Sequence, residues 1–186
     1  MSDNINILGI SGSLRKGSYN TLSLVAAQKL APKNITITLC DISAIPLYNE
    51  DVRDKGVPSS VNDFRDSIKK ADAIIIATPE YNYSIPGVLK NAIDWASRPP
   101  EQPFEAKPIG IIGASMGMLG TARAQYHLRQ CFVFMNAYIM NKPEVMIGGA
   151  HTKFDQDGNL TDDKTQEVIK KFLEELVSWT KKFGSK

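Results

Sequence analysis

Residues 9–20 read Gly9-Ile10-Ser11-Gly12-Ser13-Leu14-Arg15-Lys16-Gly17-Ser18-Tyr19-Asn20, a run rich in small residues, hydroxyls and positive charge. Small residues let a backbone curl until several N–H groups face one anion. Ser13 and Ser18 add hydroxyl donors, Arg15 adds a fork suited to phosphate, and Asn20 is placed to cap a following helix or to bond a ligand. The spacing is not that of a Walker A loop, because Ser18 stands where Lys is required. Nor does it match G-x-G-x-x-G, and Ser13 fills the last Gly position of a G-x-S-x-G elbow. Taken alone, the run also reads as a Gly/Ser turn with two solvated cations.

A second segment, residues 78–87, holds Pro79, Glu80, Tyr81, Asn82, Tyr83 and Pro86. Prolines stiffen it and two tyrosines offer flat faces, a combination that suits a planar heterocycle stacked on one face and hydrogen-bonded at its edge. The plainer reading is a turn whose tyrosines cover the core. A third, residues 115–121, runs from Ser115 through Gly117 and Gly120 to Thr121; its glycines permit close backbone approach. Weaker signals are His127 and Cys131, four apart on one helix, which read as core or interface rather than half a metal site. Asp155, Asp157 and Asn159 mimic the start of a calcium loop, but Gly158 is misplaced and the closing Glu is missing, so they read as a turn.

The elements that must position these segments alternate along the chain. Apolar runs over residues 5–10, 73–77 and 109–114 read as strands covered on both faces, while Ile35–Cys40 alternates and suits an edge. Residues 137–147 hold a fifth strand broken by Asn141-Lys142-Pro143. Helices are expected over residues 20–30, from Ser60 with a capping box closed by Asp63, from Pro86 to Trp95, over 120–134, and from Thr161 as cap to the C-terminal lysines. Residues 41–58, with Pro46, Gly56 and Pro58, and residues 98–108, with four prolines, read as loops. Strand starts about 28–38 residues apart fit successive βαβ crossovers. The expected fold is α/β: a flavodoxin-like, doubly wound, five-stranded parallel sheet in the order 2-1-3-4-5, with helices on both faces and a single domain over residues 1–186. In that order the three chemical segments all lie beyond the carboxyl ends of strands one, three and four, where such sheets bind ligands.

Composition narrows the function. The chain has 186 residues, 22 Lys+Arg against 20 Asp+Glu, and a net charge of +2. That balance argues against a nucleic-acid binder, and no apolar run is long enough to span a bilayer. Met1-Ser2-Asp3-Asn4 lacks the basic start and apolar stretch of an export signal, and two cysteines are too few for a disulfide framework, so the cytoplasm is the expected location.

Together the segments resemble the NADPH-dependent FMN reductase family, and especially its bacterial quinone/chromate reductase branch. Residues 12–20 match the family's phosphate loop. Residues 79–87, continuing through Leu89-Lys90-Asn91-Ala92-Ile93-Asp94-Trp95, match its flavin-ring loop. Gln125-Tyr126-His127-Leu128-Arg129-Gln130 and Met140-Asn141-Lys142-Pro143-Glu144 are similar to that branch in particular. The resemblance implies that Ser13, Arg15, Ser18 and Asn20 hold the FMN phosphate, with Tyr19 also among the cofactor-binding residues. It implies that Pro79, Glu80, Tyr81 and Asn82 line the isoalloxazine, mostly through backbone groups, that Tyr83 also belongs to the cofactor site, and that Ser115 and Gly117 close the other side. It implies a homodimer or homotetramer joined by a polar network of Arg123, Tyr126 and Glu144. One departure is Thr121, where relatives often carry Gly.

The implied activity is an NAD(P)H oxidoreductase in which NADPH or NADH delivers hydride to flavin N5 and a quinone, chromate, azo or nitro compound is then reduced in the same place. The flavin carries the chemistry, so no side chain is singled out as catalytic and no metal is expected. Two other classes remain as alternatives: a flavodoxin-type electron carrier that does not oxidise NAD(P)H, and a serine hydrolase built on Ser11 or Ser13 with His127 or His151. The carrier sits poorly with a charge of +2, since such carriers resemble one another in being strongly acidic.

Overall fold

The computed structural model describes residues 4–184; Met1-Ser2-Asp3, on which much of the export reading rests, lie outside them. The chain runs β1 (Ile5–Ser11), α1 (Tyr19–Leu30), β2 (Ile35–Cys40), α2 (Glu50–Lys55), α3 (Ser59–Lys70), β3 (Ala73–Ala77), α4 (Gly87–Ala96), β4 (Pro108–Ala114), α5 (Ala122–Cys131), β5 (Tyr138–Ile139), β6 (Val145–Ile147) and α6 (Asp163–Phe183). The strands form one sheet in the order β2-β1-β3-β4-β5, with β6 also pairing β4, and every pairing is parallel. The expected order holds.

Period-two alternation splits the core between the two faces of the sheet. Ala73, Ile75 and Ala77 of β3 face the same side as Ile112 and Ala114, under Leu24 of α1 and Ile169, Phe172 and Leu173 of α6. Ile74 and Ile76 face the other side with Ile109 and Ile111, against Phe64 of α3, Ile93 of α4 and Leu128 of α5. Gly110 leaves room for the Phe172 ring, since a Cβ there would strike Phe172 Cζ and force the ring to shift. β3 and β4 are buried throughout, whereas β2 exposes Thr36 and Thr38 at the sheet edge. The broken fifth strand becomes two short ones at the same edge of β4: β5 pairs Pro108 and Ile109, and β6 pairs residues 112–114.

Several boundaries differ from the sequence reading. The loop after β2 contains α2, a six-residue helix with no buried residue, so it carries no apolar period to read. α3 starts at Ser59 after Pro58, and Ser60 Oγ donates to Ala44 O rather than closing a capping box. α6 is capped by Asp162, which accepts from the Thr165 N–H; Thr161 Oγ1 donates to Lys153 O. α5 is shorter than residues 120–134 and ends at Cys131. The Asp155–Asn159 segment is a turn: Asn159 N–H donates to Asp155 Oδ1 at 2.7 Å, and Phe154 bridges Leu160.

Candidate functional site

The first loop leaves β1 and enters α1, and hydrogen bonds fix its shape. Gly12 N–H donates to Ala77 O at 2.8 Å, which ties the loop to the end of β3. A Cβ there would lie 3.1 Å from Leu89 and 3.3 Å from Pro79, a tight fit that favours glycine. Ser18 is the N-cap of α1, its side chain accepting from the Asn20 N–H. Gly17 takes a left-handed φ of +65° and has open space where a Cβ would be. Ser13 and Ser18 are buried beneath a surface on which Leu14, Arg15, Lys16 and Gly17 are exposed, and the Arg15 guanidinium lies 5.7 Å from the Tyr19 ring centre. A helix N-terminus, two hydroxyls and an exposed cation therefore meet in one cradle, which has the chemistry of a phosphate seat.

Asn20 neither caps the helix nor presents its side chain to the cradle. Its amide is buried and faces the backbone of β4: Nδ2 donates to Ala114 O at 3.0 Å, and Oδ1 accepts from Ala114 N–H at 2.9 Å. The side chain thus copies a strand edge and fastens the first loop to the start of the third. The third loop is held from the other side. Ser115 N–H donates to Ile147 O, Ala150 N–H to Ser115 O and Gly149 N–H to Gly117 O, at 3.0, 3.0 and 3.1 Å. A Cβ at Gly148 would strike Met118 O, so this contact needs glycine. Met116, Met118 and Leu119 remain exposed at this rim.

The second loop ends in a tight turn. Tyr81 and Ser84 exchange two backbone hydrogen bonds of 2.9 and 3.0 Å, and the residues between them, Asn82 and Tyr83, have φ of +50° and +66°. Two left-handed residues make the turn twist like a hairpin, and they leave the Asn82 and Tyr83 amides outside its two bonds. Tyr81 and Tyr83 are exposed. Glu80, read from sequence as a ring-lining residue, turns its carboxylate toward α5: Oε2 accepts from the N–H groups of Arg123 and Ala124 at 3.1 and 3.2 Å. Arg123 Nε lies 2.6 Å from Glu80 Oε1, an ion pair without the alignment of a hydrogen bond. The same guanidinium sits 3.6 Å from the Tyr83 ring centre.

Of the expected subunit network, Tyr126 and Glu144 come together, and the Glu144 carboxylate raises the Tyr126 phenol above its ordinary pKa. Both line a cleft of about 780 Å³ with Arg129, Asn141, Lys142 and Lys171. Burial lowers the Arg129 guanidinium from its usual value, while Glu144 opposes the shift. Within its own chain Arg123 meets Glu80 and Tyr83. Sequence reading missed Gln125 as an anchor: buried, its Nε2 donates to Val145 O at 3.0 Å and Thr121 Oγ1 at 3.2 Å. Among the described residues the hydrolase pairing does not form. Ser11 Oγ meets Thr21 Oγ1 at 2.8 Å, and His127 Nδ1 meets Ser84 Oγ at 3.2 Å.

Known proteins place this arrangement in a family. The family model described as NADPH-dependent FMN reductase matches residues 5–152. An NAD(P)H-dependent FMN reductase of Pseudomonas aeruginosa is 59% identical over 98% of both chains. A quinone reductase of Escherichia coli is 48% identical over 91% of this chain and 92% of its own. Among solved structures, the flavoenzyme NAD(P)H:(acceptor) oxidoreductase FerB of Paracoccus denitrificans superposes with a TM-score of 0.90 at 37% identity, covering 97% of this chain and 100% of that one. The phosphate-suited cradle, the rigid turn beside it and these relatives agree: the chain belongs to the NADPH-dependent FMN reductase family, oxidoreductases that work with FMN and NAD(P)H.

Proposed function

We propose that the three-loop rim holds FMN and that the protein passes electrons from NAD(P)H to quinones. The observation that carries this reading is the joining of the three loops around one cradle, through Gly12 to Ala77 and Asn20 to Ala114. The quinone reductase relative supports the acceptor class.

In this reading Ser13, Ser18 and Arg15 hold the phosphate at the N-terminus of α1. Tyr19 packs beneath Arg15, and Asn20 contributes by fixing the loop rather than through its engaged side chain. Residues 79–83 line the ring with backbone groups and the Tyr81 and Tyr83 faces, while Ser115 and Gly117 close the far side. Bound FMN supplies hydride acceptance at N5 and two-electron delivery to the acceptor. The protein positions both partners at one exposed face, so nicotinamide must leave before acceptor enters, which gives ping-pong kinetics. Met116, Met118 and Leu119 offer that face an apolar border suited to flat aromatic acceptors.

The reading extends to a cytoplasmic homodimer or homotetramer of single-domain subunits, with Tyr126, Glu144 and Arg123 at the subunit contact. No helix among the described residues is long and apolar enough to cross a membrane. Initial rates measured with NADH and NADPH against benzoquinones, chromate, azo and nitro compounds test it. Parallel double-reciprocal lines with a quinone as the best acceptor are expected. Intersecting lines would refute the shared face, and a chromate, azo or nitro compound exceeding every quinone would refute the acceptor class. Reduction only through a separate reductase would mark an electron carrier.

A further inference from the structure

We propose that Glu80 is a positioning residue that holds the second loop in its FMN-binding shape before FMN arrives; this rests on the FMN reading above. The first N–H groups of an α-helix have no partner within the helix and attract negative charge. α5 supplies no cap of its own. Thr121, at its N-cap position, has a left-handed φ of +71°, and its side chain makes no capping bond. Its hydroxyl meets Gln125 Nε2 instead. The missing acceptor comes from 43 residues earlier in the chain: the Glu80 carboxylate, whose side chain is only 10% exposed, takes the Arg123 and Ala124 N–H groups.

This contact controls more than the helix. Glu80 opens the turn formed by Tyr81, Asn82, Tyr83 and Ser84, whose two central residues hold a left-handed backbone that side-chain-bearing residues rarely adopt. Such a conformation persists where its surroundings over-determine it. Arg123 does this from both ends, pairing with Glu80 at the start of the turn and covering the Tyr83 ring at its tip. A loop already fixed in this way spends less ordering free energy on binding. Glu80 therefore acts on FMN through the shape of residues 81–84, with its carboxylate spent on α5.

The test compares wild type with Glu80→Ala, Glu80→Gln and Arg123→Met. FMN dissociation constants come from quenching of flavin fluorescence by the apo-protein, loop order from amide hydrogen exchange, and stability from thermal unfolding. Glu80→Ala is expected to weaken FMN binding about tenfold and to speed exchange across residues 80–84 in the apo-protein, with residues 12–18 unchanged. Glu80→Gln keeps an acceptor for α5 but loses the ion pair, so it should fall between wild type and Glu80→Ala. Arg123→Met keeps the cap and should also weaken binding. If Glu80→Ala lowers the melting temperature yet binds FMN as tightly as wild type, Glu80 is a helix cap only and the proposal fails. If Glu80→Ala does not fold, unchanged FMN affinity in both other variants overturns it equally. Wild type that binds no FMN would instead overturn the FMN reading itself.

Discussion

Arg123 meets Glu80 twice: its backbone N–H donates to Oε2 at 3.1 Å, and its guanidinium Nε lies 2.6 Å from Oε1. One acidic residue on the second loop thus holds both the main chain and the side chain of the first turn of α5. The loops after β1, β3 and β4 are joined in a similar way by Asn20 and Gly12, so the rim is assembled by polar contacts between distant segments. Binding and scaffold roles are divided among neighbouring residues, and substitutions should separate them.

Arg15→Ala should weaken FMN binding by roughly tenfold or more, since a charge-assisted contact is lost, while stability changes by no more than about 0.5 kcal/mol. Arg15 is exposed and supports nothing in the core. Equilibrium titration with FMN, paired with urea unfolding of the apo-protein, checks both halves.

Asn20→Ala should show the opposite pattern at first sight: a loss of roughly 1–3 kcal/mol in apo-protein stability, because the Ala114 N–H and C=O are left buried without partners. Urea unfolding of the apo-protein measures it. An unchanged midpoint would mean that Asn20 serves FMN rather than the loop junction.

Thr121 combines a left-handed β-branched backbone with a buried hydroxyl bonded to Gln125. Thr121→Gly relieves the strain and loses the bond, two effects of about 1 kcal/mol each with opposite sign, so stability should change little. Thr121→Val keeps the strain and loses the bond, and should be the less stable of the two. Thermal unfolding of both variants gives the order directly.

How far the sequence revealed this molecule depended on the range of the interaction. Continuous apolar runs announced β3 and β4, a short apolar run announced β1, and the alternation of Ile35–Cys40 placed β2 at an edge, because burial selects the residues that face the core. Lys142-Pro143 showed where the fifth strand breaks. α2 stayed hidden because it buries nothing. The cap at Thr161 was misplaced because Asp162 beside it caps α6 while Thr161 turns to Lys153, and the cap at Ser60 because α3 begins at Ser59 after Pro58 and Ser60 turns to Ala44. At the site, Ser18 was legible as part of a local motif. The direction of the Glu80 carboxylate and the Asn20 amide was not, because their partners lie 43 and 94 residues away.

Asp162 gives a prediction in pH. Hydrogen bonds from Thr165 lower its carboxyl below the ordinary value of 3.8. A carboxyl depressed in the folded state stabilises above its unfolded pKa, and that contribution disappears as pH falls through the folded pKa. Asp162→Asn retains an acceptor for α6 without the titration. Its stability should therefore fall less than that of wild type as the pH drops below about 4, as acid-limb unfolding curves would record.

The central claim, an FMN-bearing rim that takes electrons from NAD(P)H, is tested most directly by visible absorption of the purified protein under anaerobic conditions. Flavin bands present at isolation or after FMN addition should bleach with NAD(P)H and return on addition of a quinone. Bands that persist after NAD(P)H, or a protein that takes up no FMN at all, would contradict it.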